Sequence, residues 1–192
     1  MRIIAGTFRS RVLDAPAGLA TRPTSDRLRE TLFNVLAPRI AGAFFLDLYA
    51  GSGAVGIEAL SRGAAKVMFV ERAAPALNVL RANLTRLGLT EGFRIHSGNA
   101  ASFLRGPRAG AVEFDLVFLD PPYDATEEYA NVLGLLGGAA AAFLAAGAVV
   151  IAEHRRKEKL QLRYGNLERT RLLEQGDAAL SFYAVTTAKP PD

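Results

Sequence analysis

Cysteine is absent from this chain, and histidine is nearly so. The 192 residues contain no cysteine and two histidines, His96 and His154. The absence of thiols excludes disulfide bonds, thiolate zinc sites and a cysteine nucleophile. The shortage of imidazole disfavours a metal site built on histidine. We therefore expect a protein that works without a bound metal.

Features that would direct the chain into or across a membrane are also lacking. Arginines interrupt the first eleven residues, and no apolar core of the length that a signal peptide needs follows them. The uncharged stretch over 132–152 has the length of a membrane span. It is mostly alanine and glycine, however, and its glycines divide it into a helix end, a turn and a strand. We expect a cytoplasmic protein with no membrane contact.

Acidic residues are fewer than basic ones, and the basic surplus is concentrated. The chain has 23 Lys and Arg against 19 Asp and Glu, which gives a net charge of +4. The first forty residues contain seven arginines and three acidic residues, so this segment alone carries +4. Such a concentration favours a segment that binds phosphates. A solvated hairpin with a packing helix is the alternative interpretation.

Strands and helices alternate from residue 44 onwards. We predict strands over 44–49, 66–70, 93–96, 114–119 and 148–152, and helices over 54–62, 75–87, 100–104 and 127–143. This series predicts an α/β, Rossmann-like, doubly wound and mostly parallel sheet. Two strand-like runs over 168–173 and 179–185 flank the turn Gln175-Gly176-Asp177, so they predict an antiparallel C-terminal hairpin and a total of seven strands.

The first forty residues predict a small N-terminal extension made of a β-hairpin and a helix. Residues 2–13 are interpreted as two short strands that turn at Gly6. Thr24 or Ser25 is expected to cap the helix. Its apolar face has helical spacing and consists of Leu28, Leu32, Val35 and Leu36. We therefore divide the chain into a basic extension over 1–40 and a main domain over 41–187.

The predicted strand over 114–119 ends in the sequence Asp120-Pro121-Pro122-Tyr123. Its six residues are apolar or aromatic with little alternation, as expected of a strand that is covered on both faces. Each proline fixes φ and lacks an N–H, so the sheet ladder stops there. Ligands of open α/β sheets bind at the carboxyl ends of the strands. We predict a rigid ledge that faces a ligand, with Asp120 and Tyr123 at its lip.

A glycine-rich turn connects the first predicted strand to the first helix of the series. Gly51, Gly53 and Gly56 match the G-x-G-x-x-G fingerprint, and Glu71 ends the next strand, where a carboxylate can accept hydrogen bonds from ribose hydroxyls. A dinucleotide and S-adenosylmethionine both fit this pattern. Asp47, four residues before Gly51, favours S-adenosylmethionine, because a carboxylate attracts its ammonium and sulfonium groups and would repel a pyrophosphate.

The glycine turn and the Asp-Pro-Pro-Tyr sequence together resemble those of class I S-adenosylmethionine-dependent methyltransferases that act on exocyclic amino groups. Three further motifs resemble the RsmD-type 16S ribosomal RNA guanine-N2 methyltransferases: Thr21-Arg-Pro-Thr-x-Asp-Arg-x-Arg-Glu-x-Leu-Phe-Asn34, Glu58-Ala-Leu-Ser-Arg-Gly63 and Gly176-Asp-x-Ala-Leu-Ser-Phe-Tyr183. The resemblance covers nearly the whole chain. It implies methyl transfer to a guanine N2 amino group in the 16S ribosomal RNA of the small subunit, and we expect the enzyme to be a monomer.

The resemblance also implies roles for individual residues. The cofactor would be bound by Asp47, Tyr49, Gly51, Ser52, Gly53, Glu71, Arg72, Asn99 and Ala100. Within that set, Glu71 would bind the ribose, and Asn99 and Ala100 would lie beside the adenine. The target amino group would be held at a catalytic ledge made of Asp120, Pro121, Pro122 and Tyr123, with the ring stacked on the base. The RNA would be contacted by Arg2, Arg9, Arg11, Arg22 and Thr24, while residues 21–29 would close over the site.

Two other functions are compatible with parts of the sequence. An adenine-N6 methyltransferase acting on DNA or RNA would share the Asp-Pro-Pro-Tyr sequence. The third possibility is an NAD-type oxidoreductase or a nucleotide-binding module without catalysis. Only the glycines support this interpretation, and it assigns no role to the prolines. The basic run over 154–159 is interpreted as a solvated loop, with a nucleic-acid contact as the alternative.

Overall fold

One twisted sheet with helices on both faces organises the structure. The computed structural model describes residues 1–15, 25–107, 112–122 and 125–186. Over these ranges the elements are α1 (Asp26–Ile40), β1 (Phe44–Asp47), α2 (Ala54–Ser61), β2 (Lys66–Glu71), α3 (Ala74–Arg86), β3 (Phe93–Ser97), α4 (Ala100–Arg105), β4 (Phe114–Leu119), α5 (Thr126–Leu136), a 3-10 turn (Ala141–Phe143), β5 (Leu144–Arg155), β6 (Arg163–Tyr164), β7 (Leu167–Gln175) and β8 (Ala178–Val185).

The strand order across the sheet is β3-β2-β1-β4-β5-β8-β7-β6. Strands β1 to β5 pair in parallel, and β8, β7 and β6 add antiparallel pairs. The α/β, mostly parallel fold and the C-terminal hairpin are therefore confirmed. The chain reverses its winding between β1 and β4, which lie side by side and end together at the carboxyl edge of the sheet. This is the position at which open α/β sheets bind ligands.

Three predictions about the elements were wrong in detail. The described sheet has eight strands rather than seven, because β6 is a two-residue strand too short to give an apolar pattern. Helix α5 ends at Leu136 rather than at residue 143. A Cβ on Gly137 would lie 1.8 Å from the Tyr164 carbonyl oxygen, so the chain turns where it passes this backbone. Strand β5 extends to Arg155 because β8 pairs with its polar end.

The helix of the N-terminal extension begins as predicted. The Ser25 hydroxyl accepts a hydrogen bond from the Leu28 amide at 3.2 Å and caps α1, whereas Thr24 lies outside the described residues. Leu28, Leu32 and Leu36 are buried, and Val35 packs against the same cluster. No helix within the described ranges is long and apolar enough to cross a bilayer. The uncharged stretch over 132–152 is divided between α5, the 3-10 turn and β5.

The chain before α1 does not form the two predicted strands. It contains one antiparallel bridge, between Arg2 and Val12, and it reverses through Gly6, whose φ is +83°. The amides of Ile4 and Ala5 donate to the Glu58 carboxylate at 2.8 and 3.0 Å instead of to a partner strand. The segment is therefore held by α2 more than by its own pairing.

Buried polar side chains of α2 and α3 hold this segment in place. The Ser61 hydroxyl accepts from the Phe8 amide at 2.9 Å and donates to the Ala5 carbonyl at 2.6 Å. Residues 4, 5 and 8 are therefore fixed along α2. Ile3 and Leu13 complete the attachment, because both are buried in the core cluster that also contains residues of α1, α2 and β1. The extension and the sheet share one apolar core on this face.

Asn83 of α3 connects the extension to the glycine turn. The side chain is fully buried, its oxygen accepts from the Asp14 amide at 2.9 Å, and its nitrogen donates to the Asp14 carbonyl at 3.1 Å. The same nitrogen donates to the Ser52 carbonyl at 2.9 Å. Arg86 adds an exposed ion pair with the Asp14 carboxylate. One amide group therefore fixes the end of the extension against the backbone of the predicted cofactor turn.

Arg29 corrects the interpretation of the arginine-rich extension. Its side chain is fully buried, pairs with Asp26 at 3.0 Å and lies 3.7 Å from the Glu58 carboxylate. It also donates to the Arg2 carbonyl. Arg29 therefore neutralises a buried acid of α2 and is not available to a phosphate. Arg2, Arg9 and Arg11 are exposed, as a phosphate contact requires.

Candidate active site

A cavity of about 560 Å³ opens at the carboxyl ends of β1, β2 and β4. Its walls come from the loops that follow these strands and β3, together with the first turn of α5. Two residues of the extension, Met1 and Ala15, also line it. The structure brings most of the predicted site residues together here. Those that line the cavity are Asp47, Tyr49, Gly51, Ser52, Glu71, Arg72, Asn99, Ala100, Asp120, Pro121 and Pro122.

The remaining predicted residues do not line this cavity or lie outside the described chain. Gly53 is buried behind the turn with φ of +84°, and a Cβ there would lie 2.3 Å from Leu80 Cδ1. Gly56 serves packing, because a Cβ would lie 2.2 Å from the Phe69 ring. The extension turns beside Ser61, at the end of α2 remote from the cavity, and this turn contains Arg9. The predicted residues outside the described ranges are Arg22, Thr24 and Tyr123.

Glu71 fixes the shape of the glycine turn. One carboxylate oxygen accepts from the Gly51 amide at 2.8 Å, and the other accepts from the Arg72 and Ala73 amides at 2.8 and 2.7 Å. The side chain therefore connects the turn after β1 to the start of α3. The oxygen that accepts from Gly51 makes only this one bond, so it keeps a lone pair for a ligand in the cavity, whereas the other oxygen uses both of its lone pairs on the two amides.

Asn99 has a structural role at the same edge of the sheet. Its side-chain oxygen accepts from the Ser102 amide at 2.7 Å and caps α4. The exposed side chain is thereby held at the cavity wall next to the buried Ala100. The amide oxygen retains one lone pair, and the amide nitrogen has two hydrogens to donate.

Asp47 is a buried carboxyl group beneath the cavity floor. One oxygen accepts from the Gly56 amide at 3.1 Å. Burial raises the pKa of Asp47 from 3.8 to about 7, the Gly56 amide opposes the shift, and the charge of Glu71 adds to it. The group is therefore poised to ionise when a cation enters the cavity.

Asp120 lies beside it at the end of β4, partly open to the cavity. Burial raises the pKa of Asp120 well above 3.8, and the nearby charges of Glu153 and Asp47 raise it further. The Pro122 carbonyl accepts from the Ala125 amide at 2.8 Å, which connects the end of this segment to the start of α5. Asp120 is therefore held on a rigid support at the cavity lip.

The charge of the cavity wall selects the kind of ligand that can enter. Among the described residues that line it are four carboxylates, Asp47, Glu71, Asp120 and Glu128, and one guanidinium, that of Arg72. Four acidic groups against one guanidinium favour a cationic ligand over a pyrophosphate, and Asp47, whose pKa is about 7, gains its full charge when a cation enters. Over the same described ranges, no three His, Cys, Asp or Glu side chains are grouped to hold a metal ion. The wall therefore fits a sulfonium amino acid better than a dinucleotide.

Sequence reasoning missed one contact across the cavity. The Tyr49 hydroxyl donates to the Glu128 carboxylate at 2.7 Å, which connects the glycine turn to α5. Burial and this carboxylate both raise the pKa of Tyr49, so the phenol remains protonated as a donor. Glu128 lies in the first turn of a helix, where acidic residues are common, so no local pattern indicates that Tyr49 is its partner.

The chain is similar to known proteins over nearly its whole length. A family model described as "Conserved hypothetical protein 95" matches residues 1–184. YlbH of Bacillus subtilis, provisionally named an rRNA methyltransferase, is 37% identical over 183 residues, which are 95% of this chain and 98% of that protein. The "Ribosomal RNA small subunit methyltransferase D" of Escherichia coli is 44% identical over 135 residues, 69% of this chain and 66% of that protein.

A solved structure extends the similarity to three dimensions. The Escherichia coli protein yhhF, provisionally named a methyltransferase, superposes with a TM-score of 0.84 at 35% identity, covering 98% of this chain and 99% of that one. The sequence resemblance to RsmD-type methyltransferases is thereby confirmed. The chain belongs to the family described as conserved hypothetical protein 95.

Proposed function

We propose that this protein transfers a methyl group from S-adenosylmethionine to the N2 amino group of a specific guanine in 16S ribosomal RNA. The observation that carries the proposal is the negatively charged cavity with Asp120-Pro121-Pro122 at its lip. The names of the Bacillus subtilis and Escherichia coli relatives support RNA as the substrate. We also propose a monomer as the active form, because the described residues that line the cavity can all come from one chain.

Different residues of the cavity would bind different parts of the cofactor. Asp47 lines the cavity, where its ionised carboxylate can attract the ammonium and sulfonium groups. Glu71, fixed by three backbone amides, can accept from a ribose hydroxyl through the oxygen that bonds Gly51. Asn99 and Ala100 would form the wall beside the adenine, and Arg72 lines the same cavity. When bound, the cofactor supplies a methyl group activated by the positive charge on sulfur.

Asp120 supplies the chemistry at the target base. The lone pair of an exocyclic amine is delocalised into the ring, so this nitrogen is a poor nucleophile. The Asp120 carboxylate and the Pro121 carbonyl can each accept one of its hydrogens, which favours a pyramidal nitrogen and stabilises the positive charge that develops on it. The raised pKa of Asp120 makes its carboxylate a better acceptor for the proton that leaves after transfer.

Tyr123 completes the proposed ledge. Its ring, two residues after Pro121, would stack on the guanine and hold it for an in-line transfer, a contact worth roughly 1–3 kcal/mol. Such presentation requires the base to leave its helix or to come from a loop. The RNA around it would be held by the extension over 1–40, and the transfer would occur in the domain over 41–187.

The proposed activity can be separated from its alternatives in one assay. The protein is incubated with radiolabelled S-adenosylmethionine and, in parallel, small ribosomal subunits, purified ribosomal RNA and duplex DNA. We expect label on N2-methylguanine from a ribosomal substrate. Label on N6-methyladenine would overturn the guanine assignment. No transfer to any of the three substrates, together with binding of NAD in a separate titration, would favour an oxidoreductase or a binding module.

Cofactor affinity should depend on pH through Asp47. Without ligand the pKa of this buried carboxyl is about 7, so the folded protein holds a proton that the unfolded chain, with a pKa of 3.8, has lost. Without ligand, the contribution of Asp47 to the free energy of unfolding therefore decreases as pH rises from 4 to 7. A cation binds the ionised form, so the Kd of S-adenosylmethionine should increase up to about tenfold per pH unit from pH 7 to 5. Calorimetric titration at several pH values measures this increase.

The variant Asp47→Asn is the control for this prediction. It should bind the cofactor weakly and lose most of the pH dependence, because the amide does not titrate in this range. An equal slope of log Kd against pH in the two proteins would contradict the assignment.

The arginines of the extension should contribute to RNA binding through charge alone. The double variant Arg9→Ala/Arg11→Ala is expected to raise the KM for RNA severalfold and to reduce the slope of log KM against log salt by about one to two. The matched control Arg81→Ala/Arg94→Ala removes two exposed charges from α3 and β3. If the two double variants give the same salt slope, the extension does not bind phosphates.

A further inference from the structure

A second concentration of positive charge lies beyond the catalytic ledge, on the C-terminal part of the sheet. Residues 155–171 contain seven arginines and lysines and two glutamates, a net charge of +5, which exceeds the +4 of the whole chain. Three of these cations stand close together in the loop after β5, namely Arg156, Lys157 and Lys159, and all three are exposed. We call these three residues the edge cluster.

The topology brings the edge cluster to the same edge of the sheet as the active site. Strand β5 is parallel to β4, and Leu119 pairs with Ala152, so Asp120 lies level with Glu153 on the neighbouring strand. Arg156 follows three residues later, which is roughly 10 Å of extended chain. The cluster therefore stands beyond the cavity lip, at a distance that one or two nucleotides can span.

The loop that carries the edge cluster is anchored. The Arg156 amide donates to the Asp177 carbonyl at 2.8 Å, and the Glu158 amide donates to the Arg155 carbonyl at 2.9 Å. Leu160 is buried, and the Tyr183 hydroxyl donates to the Gln161 carbonyl at 2.9 Å. The cations are thus presented on a fixed backbone, so an anion that binds them does not have to order the loop first.

Negative charge near the cluster does not cancel it. Glu158 lies within the loop, and Asp177 lies in the β7–β8 turn against which the loop packs. Against these two acids stand the three exposed cations of the cluster. Arg29 of the extension is buried in an ion pair and cannot contact a phosphate. Of the two exposed basic segments, this loop therefore has the higher density of exposed positive charge along the chain.

We propose that the edge cluster binds the phosphate backbone of the RNA that flanks the target base. Arg2, which follows the cavity-lining Met1, and the edge cluster would then contact the RNA on either side of the target base at Asp120. This inference rests on the proposed function. It replaces the interpretation of residues 154–159 as a solvated loop.

The triple variant Arg156→Ala/Lys157→Ala/Lys159→Ala tests the proposal. Binding of a labelled ribosomal RNA fragment is measured by fluorescence anisotropy in the presence of S-adenosylhomocysteine, over a range of salt concentrations. We expect Kd for RNA to rise about tenfold near 0.1 M salt, and the slope of log Kd against log salt to fall by about two. The Kd of S-adenosylmethionine and kcat at saturating RNA should not change.

The control variant Lys66→Ala/Arg81→Ala/Arg94→Ala removes the same number of exposed charges elsewhere. If it weakens RNA binding as much as the edge-cluster variant does, only net charge matters and the inference is overturned. An unchanged salt slope in the edge-cluster variant overturns it as well. Both outcomes leave the proposed function intact, provided that the wild-type protein methylates RNA. A wild-type protein that neither binds nor methylates RNA overturns the proposed function and this inference together.

Discussion

Replacing Asp120 by Asn is expected to reduce kcat at least about a hundredfold, because the variant loses the charge that stabilises the developing ammonium and the acceptor for its proton. The amide preserves the shape of the ledge, so the fold and the Pro121-Pro122 turn should persist. The Kd of S-adenosylmethionine should stay within a few-fold of the wild-type value, since Asp47 and Glu71 remain in place. Single-turnover transfer of the radiolabelled methyl group, with calorimetry for the cofactor, measures both quantities.

A control for this variant lies on the same strand. Asp115 is at the other end of β4, where its carboxylate accepts from the Phe44 amide at 2.8 Å. Asp115→Asn retains an acceptor oxygen and should leave kcat unchanged. If Asp120→Asn retains more than about a tenth of the wild-type kcat, Asp120 does not carry the chemistry and the proposed mechanism fails.

The largest effect on stability is expected from Glu58→Gln. Glu58 is fully buried, accepts from the Ile4 and Ala5 amides and from Arg62 Nε at 2.8 Å, and stands 3.7 Å from the Arg29 guanidinium. The substitution keeps the volume but leaves the buried charge of Arg29 short of its main counterion. Removing one partner of a buried pair costs about 3–5 kcal/mol. Urea unfolding of the two proteins measures the difference in the free energy of unfolding.

Exposed Glu30 on α1 gives the matched comparison. Glu30→Gln changes the same charge at the surface and should alter the free energy of unfolding by less than about 0.5 kcal/mol. A loss below about 1 kcal/mol for Glu58→Gln would mean that Arg29 is satisfied by Asp26 and the Arg2 carbonyl alone. The extension would then be held chiefly by its apolar contacts.

Local patterns were sufficient to predict the sheet and most of the cavity wall. The uninterrupted apolar run of β4 predicted a strand, and the prolines after it predicted where that strand ends. The glycine turn could be placed because its residues are adjacent in the chain. These signals lie within a few residues of one another, so no knowledge of the tertiary structure was needed to interpret them.

Partners that are distant in the chain could not be predicted. In the sequence Arg29 cannot be told apart from the exposed arginines around it. It is buried in an ion pair only because the fold brings it close to Glu58, 29 residues later. Asn83 joins Asp14 to Ser52 across separations of 69 and 31 residues, and a lone asparagine in a helix gives no sign of either contact. Helix α5 ends where Gly137 lies against the backbone of Tyr164. The alanine-rich sequence around Gly137 cannot indicate this contact.

The position of β8 in the sheet has a consequence for how the protein folds during synthesis. Among the described strands β8 comes last in the chain, yet it lies in the interior of the sheet, between β5 and β7. Until β8 has left the ribosome, β5 presents an unpaired edge, and such edges promote association between chains. The parallel half of the sheet can pair earlier, but the described sheet is complete only after β8 has emerged. A nascent chain of this protein should therefore depend on a chaperone, or on rapid completion, until β8 is inserted.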